Sequence, residues 1–205
     1  FGCGPHTVSV PRMEPAVGAP DSENVPSPVS DDDFKKLVAI IRIALPYTGI
    51  ILSTRENDQM RNELIRYGVS QVSAASKTNP GSYAHDEEGT GTQFSTGDHR
   101  SLDEVISSLA DAGYIPSFCT GCYRKGRVGH DFMDLAKPGL IKDFCLPNAM
   151  FTFQEYLEDF ASAETKRKGL ELIEKMTNEI TKPQLQKKIE ENLESIHNGQ
   201  RDIYF

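Results

Sequence analysis

Short β-branched runs alternate with helical stripes over the first 76 residues, and that alternation restricts the chain to few architectures. Thr7-Val-Ser-Val10, set between Pro5 and Pro11, reads as a strand. Residues 13–30 carry Pro15, Pro20, Pro26 and Pro28 among small polar residues and read as a loop. Ser30 with Asp33 is close to a capping box. Phe34, Leu37, Val38, Ile41 and Leu45 then recur at helical spacing until Pro46 ends the helix. Gly49 to Leu52 reads as a buried strand. Ser53 and Glu56 form a second capping box, opening a helix with Met60, Leu64 and Ile65 that Gly68 stops. Val69 to Ala74 is a third strand. This order predicts a parallel sheet with helices packed outside it. Chemistry in such sheets gathers at the C-terminal strand ends, which here carry Arg12, Ser53-Thr-Arg-Glu56 and Ser73 to Ser76.

Residues 77–100 are polar, glycine-rich and aperiodic, a long loop of the kind that often carries function. Ser101 and Glu104 cap a helix that ends at Gly113. A short helix over 131–136 stops at Lys137-Pro-Gly139. Thr152 with Glu155 caps another, and helices continue to His197, separated near Thr181-Lys-Pro183. Leu185, Ile189, Leu193 and Ile196 form one apolar stripe, and Gly199 ends it. The expected division is 1–100, strand-and-helix, and 101–205, helical.

Three of the four cysteines fall in one window: Cys119-Thr-Gly-Cys122 and Cys145. Thiolates so gathered suit a soft metal or an iron–sulfur cluster. One reading is a tetrahedral zinc site with Cys119, Cys122, Cys145 and His130. The other is a four-iron cluster on three thiolates, with one iron open to an outside ligand and Arg124, Lys125 and Arg127 offsetting its charge. Three unrelated buried thiols fit poorly with the glycines and basic residues around them. The spacing leaves zinc and iron–sulfur both open.

The remaining candidates have ordinary readings beside them. Arg55 after a strand offers a planar donor fork for a carboxylate, or pairs with Glu56 or Asp58 in a first helical turn. Ser70, Ser73 and Ser76 alternate imperfectly. His6 reads as a turn histidine; His85, His99 and His197 as solvated; Cys3 as structural. Asp31 to Asp33 suit a helix N-terminus. The Lys and Glu residues of 164–195 read as a solvated face. No Walker-type glycine loop or nucleophile elbow is present. A net charge of −8 and a pI near 5.2 argue against a nucleic-acid partner. The longest apolar stretch, Phe34 to Leu45, is broken by Lys35, Lys36 and Arg42, far short of the ~20 residues that span a bilayer. No signal peptide is recognisable at the start, and few cysteines at metal-binding spacing fit a reduced, cytoplasmic setting. The chain opens on Phe1-Gly-Cys-Gly-Pro, as if inside a domain, which suggests a piece of a longer protein.

Taken together, Gly4-Pro-His-Thr-Val-Ser-Val-Pro-Arg12, Leu52-Ser-Thr-Arg-Glu56 and Val72-Ser-Ala-Ala-Ser-Lys-Thr-Asn-Pro-Gly81 resemble the later barrel strands of radical SAM aromatic-amino-acid lyases. Phe118-Cys-Thr-Gly-Cys-Tyr-Arg-Lys-Gly-Arg127, Cys145 and Arg201-Asp-Ile-Tyr-Phe205 resemble the HydG family, the tyrosine lyases that mature FeFe-hydrogenase. The resemblance implies an α/β fold: the C-terminal part of a TIM-type barrel, then a mostly helical domain. It implies cleavage of S-adenosylmethionine at a first 4Fe–4S cluster, breakage of tyrosine to p-cresol and dehydroglycine, and formation of CO and cyanide at an auxiliary 4Fe–4S cluster with an additional labile iron. Cys119, Cys122 and Cys145 match that auxiliary cluster. Arg55 and Ser73 would hold the tyrosine carboxylate and Arg12 would lie near S-adenosylmethionine; His6 is a candidate for the extra iron only because it precedes a barrel strand. The implied partners are tyrosine, the N-terminal half of the barrel or a second copy, and hydrogenase maturation proteins, without nucleic acid or membrane. The first cluster's Cys-x-x-x-Cys-x-x-Cys is absent from these 205 residues, so radical initiation is expected to lie elsewhere. The alternatives are the thiamine-pathway lyase ThiH, which makes 2-iminoacetate without the three-cysteine extension, and a non-enzymatic zinc-binding module.

Overall fold

The computed structural model describes residues 4–84 and 93–205. Cys3 and His85 lie outside the described residues, as does part of the 77–100 loop. The chain divides into two units, Gly4–Ser101 and Leu102–Phe205.

In the first unit, β1 (Thr7–Ser9), β2 (Gly49–Leu52) and β3 (Gln71–Val72) form a parallel sheet in that order. Thr7 aligns with Gly49, and Ile51 with Gln71. A short α1 (Pro20–Glu23) interrupts the stretch read as loop; Pro20, whose φ is preset for helix, starts it. Helix α2 (Asp31–Ala44) begins where the sequence indicates: Ser30 Oγ accepts from the Asp33 amide at 3.1 Å. Helix α3 (Asp58–Arg66) starts later than expected. Asn57, not Ser53, is its cap, with Oδ1 accepting from the Met60 amide at 2.9 Å. Asn is as good a cap as Ser, and Glu56 is held elsewhere, by Arg12. Arg42, which breaks the apolar run in the sequence, ties these elements together. Its guanidinium donates to the carbonyls of Leu45, Pro46, Thr48 and Gly68. Gly68 at φ +105° leaves room for it: a Cβ there would meet Arg42 Nε at 2.7 Å. Phe34, Val38, Ile50, Leu52, Met60 and Leu64 fill the core between sheet and helices.

The second unit holds α4 (Leu102–Asp111), α5 (Gly121–Arg124), α6 (His130–Ala136), α7 (Lys142–Asp159), α8 (Ala163–Asn178) and α9 (Pro183–His197). Thr152 does not cap a helix. It lies inside α7, its hydroxyl donating to the Asn148 carbonyl at 3.0 Å. The sequence hid α7 because Pro147 falls within it, where proline removes one helical hydrogen bond. A separate break follows at 160–162, with Ser162 capping α8 through the Thr165 amide at 3.3 Å. Phe153 and Leu157 of α7 pack on α4 and α8; Met150 and Phe151 pack on α9, against Ile189 and Ile196 of its stripe. Among the described residues, no helix is long and apolar enough to cross a membrane.

Candidate metal centre

The cysteine window folds around α5, a helix of one turn. Cys119 precedes it and Cys122 lies on it. Its end is a Schellman turn: Gly126, at φ +69°, donates to Tyr123 O at 3.1 Å, and the Arg127 amide donates to Cys122 O at 2.8 Å. One of the loop's glycines is thus explained by backbone geometry. Cys145 sits near the start of α7, where its amide donates to Ile141 O at 2.8 Å.

All three thiols are free. The Gly121 amide donates to Cys119 Sγ at 3.3 Å. Packing around the Cys145 sulfur pushes its pKa up, although the residue as a whole is exposed. Negative charge on Cys122 and Cys119 pushes it further, and Arg127 opposes them. Cys145 therefore lies in the field of the other two sulfurs. Thiolates so placed repel until a cation neutralises them, and the donor set fits a soft metal or iron–sulfur group. Among the described residues, no three His, Cys, Asp or Glu side chains already close on a metal position. The sulfurs are grouped, and ligation would draw them together. His130 begins α6 and is exposed.

The basic residues of the loop are distributed unevenly. Arg127 stacks on Phe144 at 4.6 Å and acts on Cys145. Arg124 makes a forked ion pair with Asp202, its Nη2 at 2.7 Å from Oδ2, and lies 4.8 Å from the Tyr204 ring centre. Lys125 lies 5.4 Å from the same ring.

The other candidates belong to the first unit. Arg12, past β1, is bound on both sides: Nε to Glu56 Oε1 at 2.8 Å and Nη1 to Asp31 Oδ1 at 2.7 Å. Arg55, past β2, donates to the Arg12 carbonyl at 3.0 Å and stacks on Phe94 at 4.1 Å. It precedes α3 rather than lying in its first turn. Arg12 and Arg55 are thus brought together at the strand ends. Ser73, past β3, is drawn to a different group, its carbonyl accepting from Arg61. His6 contributes its carbonyl to the Gly49 amide at 2.9 Å. His99 and His197 are exposed, bonded to Thr96 and Glu158.

Three sets of residues have structural roles that the sequence reading did not assign. Glu56, 3% exposed, is Arg12's partner rather than a cap. Arg61 and Asp98 form a buried ion pair that Arg100 joins. Arg201 to Phe205 pack back along α7. Only the last had a signal, its resemblance to the HydG family.

A family described as the Biotin and Thiamin Synthesis associated domain matches residues 9–115. The chain is 38% identical over 114 residues to 2-iminoacetate synthase of Salmonella typhimurium (strain LT2), and 36% to that of Escherichia coli (strain K12). Each match takes in 54% of this chain and 28% of the relative. A crystal structure of HydG, a maturase of FeFe-hydrogenase, superposes over 100% of this chain at 48% identity and TM-score 0.93. The FeFe-hydrogenase maturase HydG from Carboxydothermus hydrogenoformans covers 94% at 43% identity and TM-score 0.70. The chain spans 44% and 40% of those two proteins.

Proposed function

The chain belongs to the Biotin and Thiamin Synthesis associated domain family and its whole length matches the C-terminal portion of HydG, and from that premise we propose that it is the auxiliary-cluster half of a radical SAM tyrosine lyase. In this reading Cys119, Cys122 and Cys145 hold a 4Fe–4S cluster. Such a cluster, with an additional labile iron, would supply the chemistry that makes CO and cyanide for hydrogenase assembly. The Gly121 amide, donating to Cys119 Sγ, orients that ligand, and Arg127 offsets charge at Cys145. Arg55 presents its planar donors to the tyrosine carboxylate, assisted by Ser73, and Arg12 lies toward S-adenosylmethionine. Arg12's own charge is met by Glu56 and Asp31, which suits a fixed positioning group. The N-terminal half of the barrel, or a second copy, pairs with an edge of the sheet.

The carrying observation is three free thiols, Cys119 just before α5, Cys122 on it and Cys145 on α7, with Cys145 in the field of the other two, in a chain that matches HydG from end to end. The second reading is 2-iminoacetate synthesis alone. It is supported by the two synthases, whose similarity takes in 54% of the chain, against the full length for HydG.

The test is anaerobic reconstitution of the intact protein with iron and sulfide. Bound iron and acid-labile sulfide are expected, and Cys122→Ser should lose most of both. Tightly held zinc without labile sulfide, or full iron content in Cys122→Ser, overturns the ligand assignment. With tyrosine and S-adenosylmethionine, CO and cyanide are expected; 2-iminoacetate without either would favour the second reading.

A further inference from the structure

The last five residues form a strap whose inner side is anchored and whose outer side grips the cysteine loop. Arg201 is forked onto Asp159 at 2.7 and 2.6 Å. The amides of Asp202 and Ile203 donate to Glu155 Oε1 at 2.6 and 3.4 Å. The Phe205 amide donates to Asn148 Oδ1 at 2.8 Å, and its ring meets Phe151 edge-on at 5.4 Å. These contacts fix the strap to α7. From it, Asp202 takes Arg124, and the Tyr204 ring takes both Arg124 and Lys125.

A one-turn helix does not hold itself, because nucleation costs more than one turn returns. The position of α5 is therefore set from outside, by the strap together with Asn148 of α7. The contact reaches the residue whose amide donates to the sulfur. A Cβ at Gly121 would lie 3.4 Å from the Tyr204 ring, 3.4 Å from Asn148 Nδ2 and 3.3 Å from Cys119 Sγ. Tyr204 thus lies over the residue whose amide donates to Cys119. Strap and cysteine also share the wall of a cavity of about 530 Å³, to which Cys119, Gly121, Asp202 and Tyr204 all contribute. Asp202 has φ +66°, an uncommon conformation for a residue with a side chain, and it is held there by contacts on both sides.

We propose that Asp202 and Tyr204 are positioning residues for the metal centre: the strap clamps α5 so that Cys119 and the Gly121 amide stand ready for ligation. This rests on the reading of Cys119, Cys122 and Cys145 as ligands, and its test separates the two. Asp202→Asn, Tyr204→Leu and Tyr204→Phe are made in the intact protein, with Arg201 kept as anchor and helix content checked by circular dichroism. In metal-free protein, alkylation of Cys119 relative to Cys145 is followed by mass spectrometry. The ratio should rise several-fold in Tyr204→Leu and Asp202→Asn and stay near wild type in Tyr204→Phe. In reconstituted protein, the first two should lose iron to a chelator about tenfold faster, the scale of outer-shell effects on metal sites. Wild-type alkylation ratios in Tyr204→Leu overturn the clamp whatever the metal content. If the wild type takes up no iron and sulfide, the ligand reading fails, and the alkylation ratio still decides the clamp.

Discussion

Two guanidiniums converge on Asp98 inside the first unit. Arg61 is 1% exposed and Asp98 3%, and Arg100 adds its Nη2 at 2.7 Å. Burial pushes the Asp98 pKa up. Hydrogen bonds from the Arg100 side chain and amide, with the charges of Arg61 and Arg100, outweigh it and hold the carboxyl at about 2. Burial pushes Arg61 down against the pull of Asp98, but an arginine keeps its proton, so the cluster titrates through Asp98. Its folded pKa lies below the ordinary 3.8. The stabilisation is therefore present above that value and is lost as the pH falls toward about 2. Asp98→Asn leaves the Arg61 charge buried without its partner, at a cost of about 3–5 kcal/mol. Urea midpoints should show that loss at pH 6, and the gap between variant and wild type should narrow by pH 3. A constant gap would place the effect in packing rather than charge. None of this was legible in sequence. Arg61 occupies a polar position of an amphipathic helix and Asp98 a polar loop, and no spacing rule pairs residues so far apart. The cysteine triplet was legible because its meaning is carried by residue type and local spacing.

Helices were legible where their start is a short-range code and illegible where tertiary packing overrides it. Ser30 and Pro183 mark the starts of α2 and α9 as read. The interior of α7 was missed because Pro147 is a local argument against helix, outweighed here by burial of Met150, Phe151, Phe153 and Leu157. Gly169 in α8 is the reverse case. In sequence it is only a weak helix former among charges. In the fold it is where α7 approaches closely: a Cβ there would meet the Leu157 methyls at 2.5 and 2.6 Å and Phe153 Cζ at 2.8 Å. Alanine gains up to about 1 kcal/mol in helix propensity. Overpacking a filled core costs about 1–3 kcal/mol, and both partners are fully buried, so neither can swing away. Gly169→Ala should therefore lower the urea midpoint. A raised midpoint would mean that α7 and α8 separate more easily than their packing implies.

At the scale of the whole molecule, stability is unevenly distributed along the chain. The first unit has its own core of Phe34, Val38, Ile50 and Leu64. The second is held by two clusters, drawn from α4, α7, α8 and α9 with the residues that follow α9. The loop from Cys119 to Cys145 gives no residue to any of these clusters; Leu146, just beyond it, is the first to join one. Outside these clusters, α5 is held by its turns, the strap and Asn148, and α6 buries Met133. Such segments open locally at little cost, while cores open only with global unfolding. A metal group bound by the folded loop alone stabilises it by mass action, about 2.7 kcal/mol at a hundredfold excess over its dissociation constant. Hydrogen exchange on reconstituted protein, before and after chelation, should therefore show a local response. Amides of α5 and α6 and the first turn of α7 should lose protection by up to about a hundredfold on chelation. Those of α8, α9 and the strands should change little, because their burial does not depend on the thiols. Equal loss of protection in α8 and α9 would mean that the metal centre supports the whole helical unit, and that the apolar clusters do not suffice to hold it.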